Sequence, residues 1–276
     1  MKTTGNYVLT PQGLVHKSRI HTAEQKGASG APWPAPNRFP PSNSVMQAMC
    51  PNGWKASATF AAAVPLGKMS VKFKVPEQPA MDGALIYLFA GAENAQMRTI
   101  LQPVLQWGYN GTFGGECWKL SCWHASVDGQ WYHSTPVDVS TGDIVTGTVE
   151  VVQGPARDCT AKDCTCTWRI TASTEQGPST VLDESIDPSL AMSSLMLFLI
   201  GAALEAYPEE ACCTGIAREQ YPASGTIFTD IELTDLAGYR FVADWNARCD
   251  LGDNALCGCK NTVQIGVDKS TITLKY

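Results

Sequence analysis

Short apolar runs separated by turn residues dominate the chain from residue 54 onward. Several runs alternate between apolar and polar positions, as in Val71-Lys72-Phe73-Lys74-Val75, which gives a strand one apolar and one wet face. The predicted strands are Lys55–Val64, Met69–Val75, Leu85–Ala90, Thr99–Trp107, Trp118–Ala125, Ile144–Val152, Thr165–Ala172, Thr180–Ile186, Ser194–Leu204, Thr226–Leu233 and Val263–Tyr276. Many strands joined by Gly- and Pro-containing turns predict an all-β fold, an antiparallel sandwich or barrel.

The first 50 residues have a different pattern. Ala31-Pro32-Trp33-Pro34-Ala35-Pro36 and Phe39-Pro40-Pro41 cannot continue a helix and favour polyproline geometry. We therefore predict an extended Pro-rich arm over residues 1–50, acting as a pro-segment, a linker or a strap, followed by a β-sandwich domain over residues 51–276.

Charge and hydropathy exclude several partners. The chain has 276 residues with a formal net charge of −6, and its 20 Lys and Arg residues form no basic run. We therefore expect no nucleic-acid partner and no anionic membrane partner. The most apolar run, residues 196–204, is about half the length that a membrane-spanning helix needs, and Glu205 ends it.

Cysteine usage bears on the compartment. The 11 cysteines are grouped as Cys117/Cys122, Cys159/Cys164/Cys166, Cys212/Cys213 and Cys249/Cys257/Cys259, with Cys50 apart. This density favours disulfides and a secreted protein, whereas the spacings do not fit paired structural zinc ligands. The sequon Asn110-Gly111-Thr112 points in the same direction. The four histidines lack ligand spacing, so we predict neither a metal site nor a cofactor.

Polar residues inside apolar strands are the candidates for chemistry, because the usual enzyme motifs are absent. Gln102 and Gln106 share one face of a predicted strand at period two. Glu205 follows the most apolar run, where a desolvated carboxyl suits proton transfer. The alternatives are that the glutamines cross-link neighbouring strands and that Glu205 emerges into water.

The order of short motifs adds a family resemblance. The chain contains, in this order, Asn52-Gly53-Trp54, Val71-Lys72-Phe73-Lys74-Val75-Pro76, Phe89-Ala90-Gly91, Ile100-Leu101-Gln102, Val139-Ser140-Thr141-Gly142-Asp143-Ile144, Thr167-Trp168-Arg169-Ile170, Thr180-Val181-Leu182, Thr226-Ile227-Phe228-Thr229-Asp230 and Ser270-Thr271-Ile272-Thr273-Leu274. From residue 52 to the end this order resembles the eqolisins, the glutamic peptidases of the concanavalin-like β-sandwich class.

The resemblance implies a sandwich of the concanavalin-like jelly-roll type and a secreted acid endopeptidase. Gln102 matches the catalytic glutamine of the family, and Glu205 maps by position onto its glutamate, with Glu209 as fallback. Glu205 would then activate a water molecule as general base, while the Gln102 amide donates to the carbonyl oxygen that gains charge. The expected partner is a protein or peptide substrate.

Aromatic residues complete the predicted site and also leave a second function open. Trp54, Phe89, Trp107 and Trp123 either line an apolar cleft for substrate side chains or belong to the core. In the strand that corresponds to the family's Trp-Tyr-Glu-Trp, the chain has Ala125 and Ser126 where the family has glutamate and tryptophan. That difference favours the alternative, a non-catalytic sandwich that binds glycan or another surface ligand.

Overall fold

The computed structural model describes residues 3–4, 7–10, 13–16, 19–20, 54–62, 64–94, 99–126, 131–153, 166–175, 177–186, 197–207, 219–249 and 261–276. Regular structure in these ranges consists almost entirely of β-strands. The strands are β1 (Thr3–Thr4), β2 (Tyr7–Thr10), β3 (Gly13–His16), β4 (Arg19–Ile20), β5 (Trp54–Ala62), β6 (Leu66–Lys74), β7 (Leu85–Asn94), β8 (Ile100–Trp107), β9 (Lys119–Ala125), β10 (Trp131–His133), β11 (Val137–Asp138), β12 (Ile144–Gln153), β13 (Cys166–Thr174), β14 (Ser179–Ile186), β15 (Leu197–Tyr207), β16 (Thr226–Asp235), β17 (Arg240–Phe241), β18 (Asn246–Cys249), β19 (Thr262–Ile265) and β20 (Ile272–Lys275).

Two large sheets pack face to face. The nine-stranded sheet has the order β18-β5-β15-β7-β8-β9-β10-β4, with β11 paired to β9. The eight-stranded sheet has the order β14-β13-β12-β6-β16-β20-β19, with β17 paired to β16. All strand pairs of these two sheets are antiparallel except β10 with β4. The predicted antiparallel β-sandwich is therefore confirmed.

The main core lies between the two sheets and follows from strand alternation. In β6, Val71 and Phe73 are buried while Lys72 and Lys74 are not, as the period-two pattern predicts. Phe73 packs against Phe228 of the neighbouring strand at a centroid distance of 4.9 Å. The same cluster includes Ile86, Leu88, Leu105 and Trp168, so both sheets contribute to it.

The predicted run Val263–Tyr276 is two strands rather than one. Strands β19 and β20 form a hairpin, and Lys269 in its turn has a φ of 60°. Asp268 accepts hydrogen bonds from the backbone N–H and the hydroxyl of Ser270, which stabilises the turn. Turn chemistry therefore overrides the β-propensity of the run.

Short strands also occur within the predicted arm. Strands β1, β2 and β3 form a three-stranded sheet of their own, and β4 pairs in parallel with β10 at the edge of the nine-stranded sheet. Residues 21–53, including the proline-rich motifs, lie outside the described residues, so the domain boundary near residue 50 stays a prediction. Among the described residues, no helix has the length and apolar character needed to cross a membrane.

Candidate active site

The nine-stranded sheet carries a second apolar cluster on the face turned away from the eight-stranded sheet, which we call the distal face. Opposed residues of neighbouring strands point to the same face, as do alternate residues of one strand. The strand register therefore assigns the side chains of this face to rows that cross the sheet. Its apolar members are Phe89, Ile100, Val104, Trp123, Ala125, Ile200 and Ala203, with Tyr87, Phe113 and Trp131 packed against them.

Gln102 lies in a row near the middle of the distal face. Trp123 is opposite Gln102 on β9, and His133 is opposite Trp123 on β10. On the other side the uninterrupted register of β7 and β8 places Gly91 opposite Gln102, and Ile200 of β15 pairs with Gly91. The predicted glutamine is thus flanked by an indole ring on one strand and by a residue without a side chain on the other.

The amide of Gln102 is buried and has unused hydrogen-bonding capacity. The side chain is 6% exposed, and its Oε1 atom has no hydrogen-bond partner among the described residues. Buried polar atoms are nearly always hydrogen-bonded in folded proteins, so an exception calls for a functional explanation. Nothing in the described fold requires the Gln102 amide oxygen for a structural contact.

Gln106, four residues along the same strand, has a different role. Its Nε2 atom donates to the carbonyl oxygens of Gly108 (2.8 Å) and Phe113 (3.2 Å), and its Oε1 atom accepts from Asn110 Nδ2 (3.1 Å). Position 114 requires glycine, because a Cβ atom there would lie 2.6 Å from Gln106 Nε2 and because the φ of Gly114 is +104°. Gln106 therefore holds the loop of residues 108–115 in place.

Glu205 lies in the row of Gln106 rather than that of Gln102. Glu205 pairs with Tyr87, and Tyr87 pairs with Gln106 on the next strand. The Tyr207 hydroxyl donates a hydrogen bond to Glu205 Oε1. Burial and the nearby charge of Glu205 together raise the pKa of Tyr87 above its ordinary value, so this phenol stays neutral.

The predicted partners Gln102 and Glu205 are consequently far apart. They are separated by β7 and by four residues along the strand direction. Strand spacing and rise give about 10 Å across the sheet and about 13 Å along it, or about 16 Å between the Cα atoms. The structure brings both residues to the distal face but does not bring them to one water molecule.

A second carboxyl group, Glu93, lies closer to Gln102 and was not predicted. Glu93 is 6% exposed and pairs with Ile100, two residues before Gln102 on β8. The sequence contains the relevant signal, because Phe89, Gly91 and Glu93 alternate along β7 and so share the distal face. The signal was masked because the predicted strand ended at Ala90, before the glutamate.

The predicted aromatic residues separate into two groups. Phe89 and Trp123 lie on the distal face, where Trp123 Nε1 donates to Ser121 Oγ at 2.7 Å. Trp107 lies on the opposite face, between the two sheets, and packs against Trp118 at a centroid distance of 5.3 Å. Of the aromatic residues singled out from the sequence, Trp107 therefore has a core position rather than a place in the cleft.

Other predicted residues are described in part or not at all. The backbone of Trp54 pairs with Glu205, while its side chain and the fallback Glu209 lie outside the described residues. Ala125 is on the distal face, opposite Ile100 and Trp131. Within the described ranges no group of three or more His, Cys, Asp and Glu side chains is arranged to hold a metal ion.

The described thiols are not in a disulfide. Cys117 and Cys122 are both free. The Cys122 side chain faces the eight-stranded sheet, where its Sγ atom lies 3.4 Å from the carbonyl oxygen of Thr180. The sequence predicts disulfides without a pairing, and they stay a prediction for the remaining cysteines, whose side chains lie outside the part of the chain that the structure describes.

No protein-family model matches the chain, and no curated protein matches it. Among solved structures it is similar to scytalido-glutamic peptidase with a peptide-based transition-state analogue, at 16% identity over 82% of this chain and 98% of that chain, with a TM-score of 0.49. It is also similar to SCP-B, a member of the eqolisin family of peptidases, in a complex with the tripeptide Ala-Ile-His, at 13% identity over 82% and 98% of the two chains, with a TM-score of 0.48. The PL-14 alginate lyase from Aplysia kurodai covers 62% of this chain and 71% of its own, at 10% identity and a TM-score of 0.30.

Proposed function

We propose that the distal face is the active site of an acid endopeptidase and that Gln102 stabilises the developing oxyanion. The observation that carries the proposal is the contrast between the two glutamines of β8. The amide of Gln106 is fully engaged by the loop of residues 108–115. The amide of Gln102 retains a buried oxygen without a partner among the described residues, in the middle of an aromatic-lined face.

The chemistry fits this position. When water attacks a peptide carbonyl, negative charge develops on the carbonyl oxygen, and a fixed N–H donor in a dry site lowers the energy of that charge. The Gln102 Nε2 group supplies such a donor without a charge of its own, and the unpartnered Oε1 atom can accept a hydrogen bond from the attacking water. Phe89 and Trp123 are buried and provide the apolar surroundings that exclude water.

A Gln102→Ala variant tests the proposal, with Gln106→Ala as the matched control. We expect the wild-type protein to digest an unfolded protein substrate at acidic pH and Gln102→Ala to lose about 10²–10³-fold in kcat, the usual cost of removing one oxyanion donor. The melting temperature of Gln102→Ala should fall less than that of Gln106→Ala, because both truncations lose buried packing but the Gln102 side chain makes no described structural hydrogen bond.

The control should behave in the opposite way. Gln106→Ala should lower the melting temperature, because three hydrogen bonds to the loop are lost. Full activity in a folded Gln102→Ala protein would exclude Gln102 as the donor. No cleavage by the wild-type protein at any pH between about 2 and 7, a range spanning ordinary carboxyl pKa values, would exclude the peptidase function.

Glycan binding is the second candidate, and a specific observation favours it. Trp123, Trp131, Phe113 and Tyr87 form a continuous group of rings on the distal face, with centroid distances of 5.8–6.4 Å from Trp123 to the other three. Ala125 beside them presents no acid to a substrate. Aromatic surfaces of this kind also stack on sugar rings, so a glycan array with the wild-type protein distinguishes the two functions.

A further inference from the structure

A glycine leaves a notch in the distal face, directly beside Gln102. A Cβ atom on Gly91 would lie 2.3 Å from the carbonyl oxygen of Leu101 and 3.2 Å from Gln102 Cβ. The close approach of β7 and β8 therefore requires glycine, and the face carries no side chain at this position. Gln102 and Ile200, the row neighbours of Gly91, border the notch on either side.

Glu93 borders the same notch along β7. It lies two residues after Gly91 and pairs with Ile100, so it is a diagonal neighbour of Gln102 across the ladder. Diagonal neighbours in an antiparallel pair are about 7–8 Å apart at Cα, within reach of long side chains. A carboxyl and an amide at that spacing can contact one small molecule between them.

We propose that Glu93, rather than Glu205, is the catalytic carboxyl that works with Gln102. This inference rests on the proposed peptidase function and assigns the base of that reaction. Glu205 is two strands and four residues away from Gln102 and accepts a hydrogen bond from Tyr207. Glu93 is on the neighbouring strand, diagonal to Gln102. It borders the notch at Gly91, which among the described residues is the only position of the Gln102 row without a side chain.

The reaction at this notch is a balanced hydrolysis. The Glu93 carboxylate removes a proton from water as the water oxygen bonds to the peptide carbonyl carbon. The carbonyl oxygen takes up the negative charge and accepts a hydrogen bond from Gln102 Nε2. Glu93 then gives its proton to the amide nitrogen as the C–N bond breaks, which releases an amine and a carboxylic acid and consumes one water.

Three variants separate the two glutamates: Glu93→Gln, Glu205→Gln and Gln102→Ala, each assayed with a fluorogenic peptide cleaved by the wild-type protein. We expect Glu93→Gln to lose about 10²–10⁴-fold in kcat, the range for loss of a general acid–base group. Glu205→Gln should keep kcat within about threefold, since Cα atoms about 16 Å apart place the two side chains too far from each other to share one water molecule.

The opposite result, loss in Glu205→Gln with activity kept in Glu93→Gln, overturns this assignment while the peptidase function stands. If Glu93→Gln does not fold, as judged by its melting curve, Glu93→Asp replaces it. Shortening the side chain by one methylene should lower kcat by at least about tenfold, since misplacement of a catalytic group by about 1 Å is costly. Wild-type rates in Glu93→Asp would overturn the assignment, and absence of cleavage by the wild-type protein would overturn both proposals.

Discussion

Asn110 is the centre of the hydrogen bonds that hold the loop of residues 108–115 against the distal face. The side chain is 1% exposed. Its Oδ1 atom accepts from the backbone N–H groups of Thr112 and Phe113, both at 2.9 Å, and its Nδ2 atom donates to Gln106 Oε1 at 3.1 Å. The Asn110→Ala variant removes all three bonds and leaves the buried Gln106 Oε1 atom without the hydrogen bond from Asn110.

The expected cost follows from these contacts. Each intramolecular hydrogen bond contributes about 1 kcal/mol, so their loss should lower the free energy of unfolding by about 3 kcal/mol. For a domain of this size that corresponds to a decrease in melting temperature of about 6–12 °C. Phe113 should also shift, and it packs against Trp123 and His133 at centroid distances of 5.8 and 4.9 Å.

Thermal unfolding followed by near-ultraviolet circular dichroism measures both effects, because the signal reports the packing of the tryptophans. Asn246→Ala is the matched control, since Asn246 is an exposed asparagine on strand β18. Exposed substitutions usually change stability by less than about 0.5 kcal/mol. An Asn110→Ala protein that melts within about 1 °C of the Asn246→Ala protein would refute the role assigned to the loop network.

Two further predictions concern a buried thiol and the notch glycine. Burial raises the pKa of Cys122 from 9.0 to about 12, so the unfolded chain loses this proton first as the pH rises. Its contribution to stability should therefore be intact below about pH 9 and decrease by up to about 4 kcal/mol as the pH approaches 12. In urea unfolding, the free energy of unfolding should decrease less steeply with rising alkaline pH in Cys122→Ala than in wild type. Equal slopes of this free energy against pH would contradict the explanation. Gly91→Ala should lower the free energy of unfolding by about 1–3 kcal/mol, because its Cβ atom would lie 2.3 Å from the Leu101 carbonyl oxygen. A Gly91→Ala protein with wild-type stability would show that β7 and β8 can separate there without cost.

Local patterns were enough to predict the class of fold and the shared face of two glutamines. Alternation identified β6, and period two placed Gln102 and Gln106 on one face of β8, as the register of the sheet has them. These predictions depend only on residues that lie within a few positions of each other in the chain. Side chains two residues apart on a strand share a face whatever the strand pairs with.

The relation between Gln102 and Glu205 depends on non-local pairing and could not be predicted in this way. Strand β7 lies between their strands, and β15 has a register shift between Ile200 and Ala203. A shift of one residue changes which side chains are opposed across the sheet. Sequence position alone therefore identified two residues of the distal face, but not the row in which each one lies.

The sequon Asn110-Gly111-Thr112 shows how a motif changes meaning once its surroundings are known. As a sequence it is a glycosylation acceptor and an argument for secretion. In the fold, Asn110 is buried, both ends of its amide are hydrogen-bonded, and Gly111 has a φ of 95°, which marks a turn. A glycan on Nδ2 would displace Gln106 and open the loop, so the folded protein should carry none there. The motif is accounted for by the turn that supports the distal face, and it gives no information about the compartment. Secretion then stays a prediction from the other cysteines alone, because Cys117 and Cys122 are free thiols.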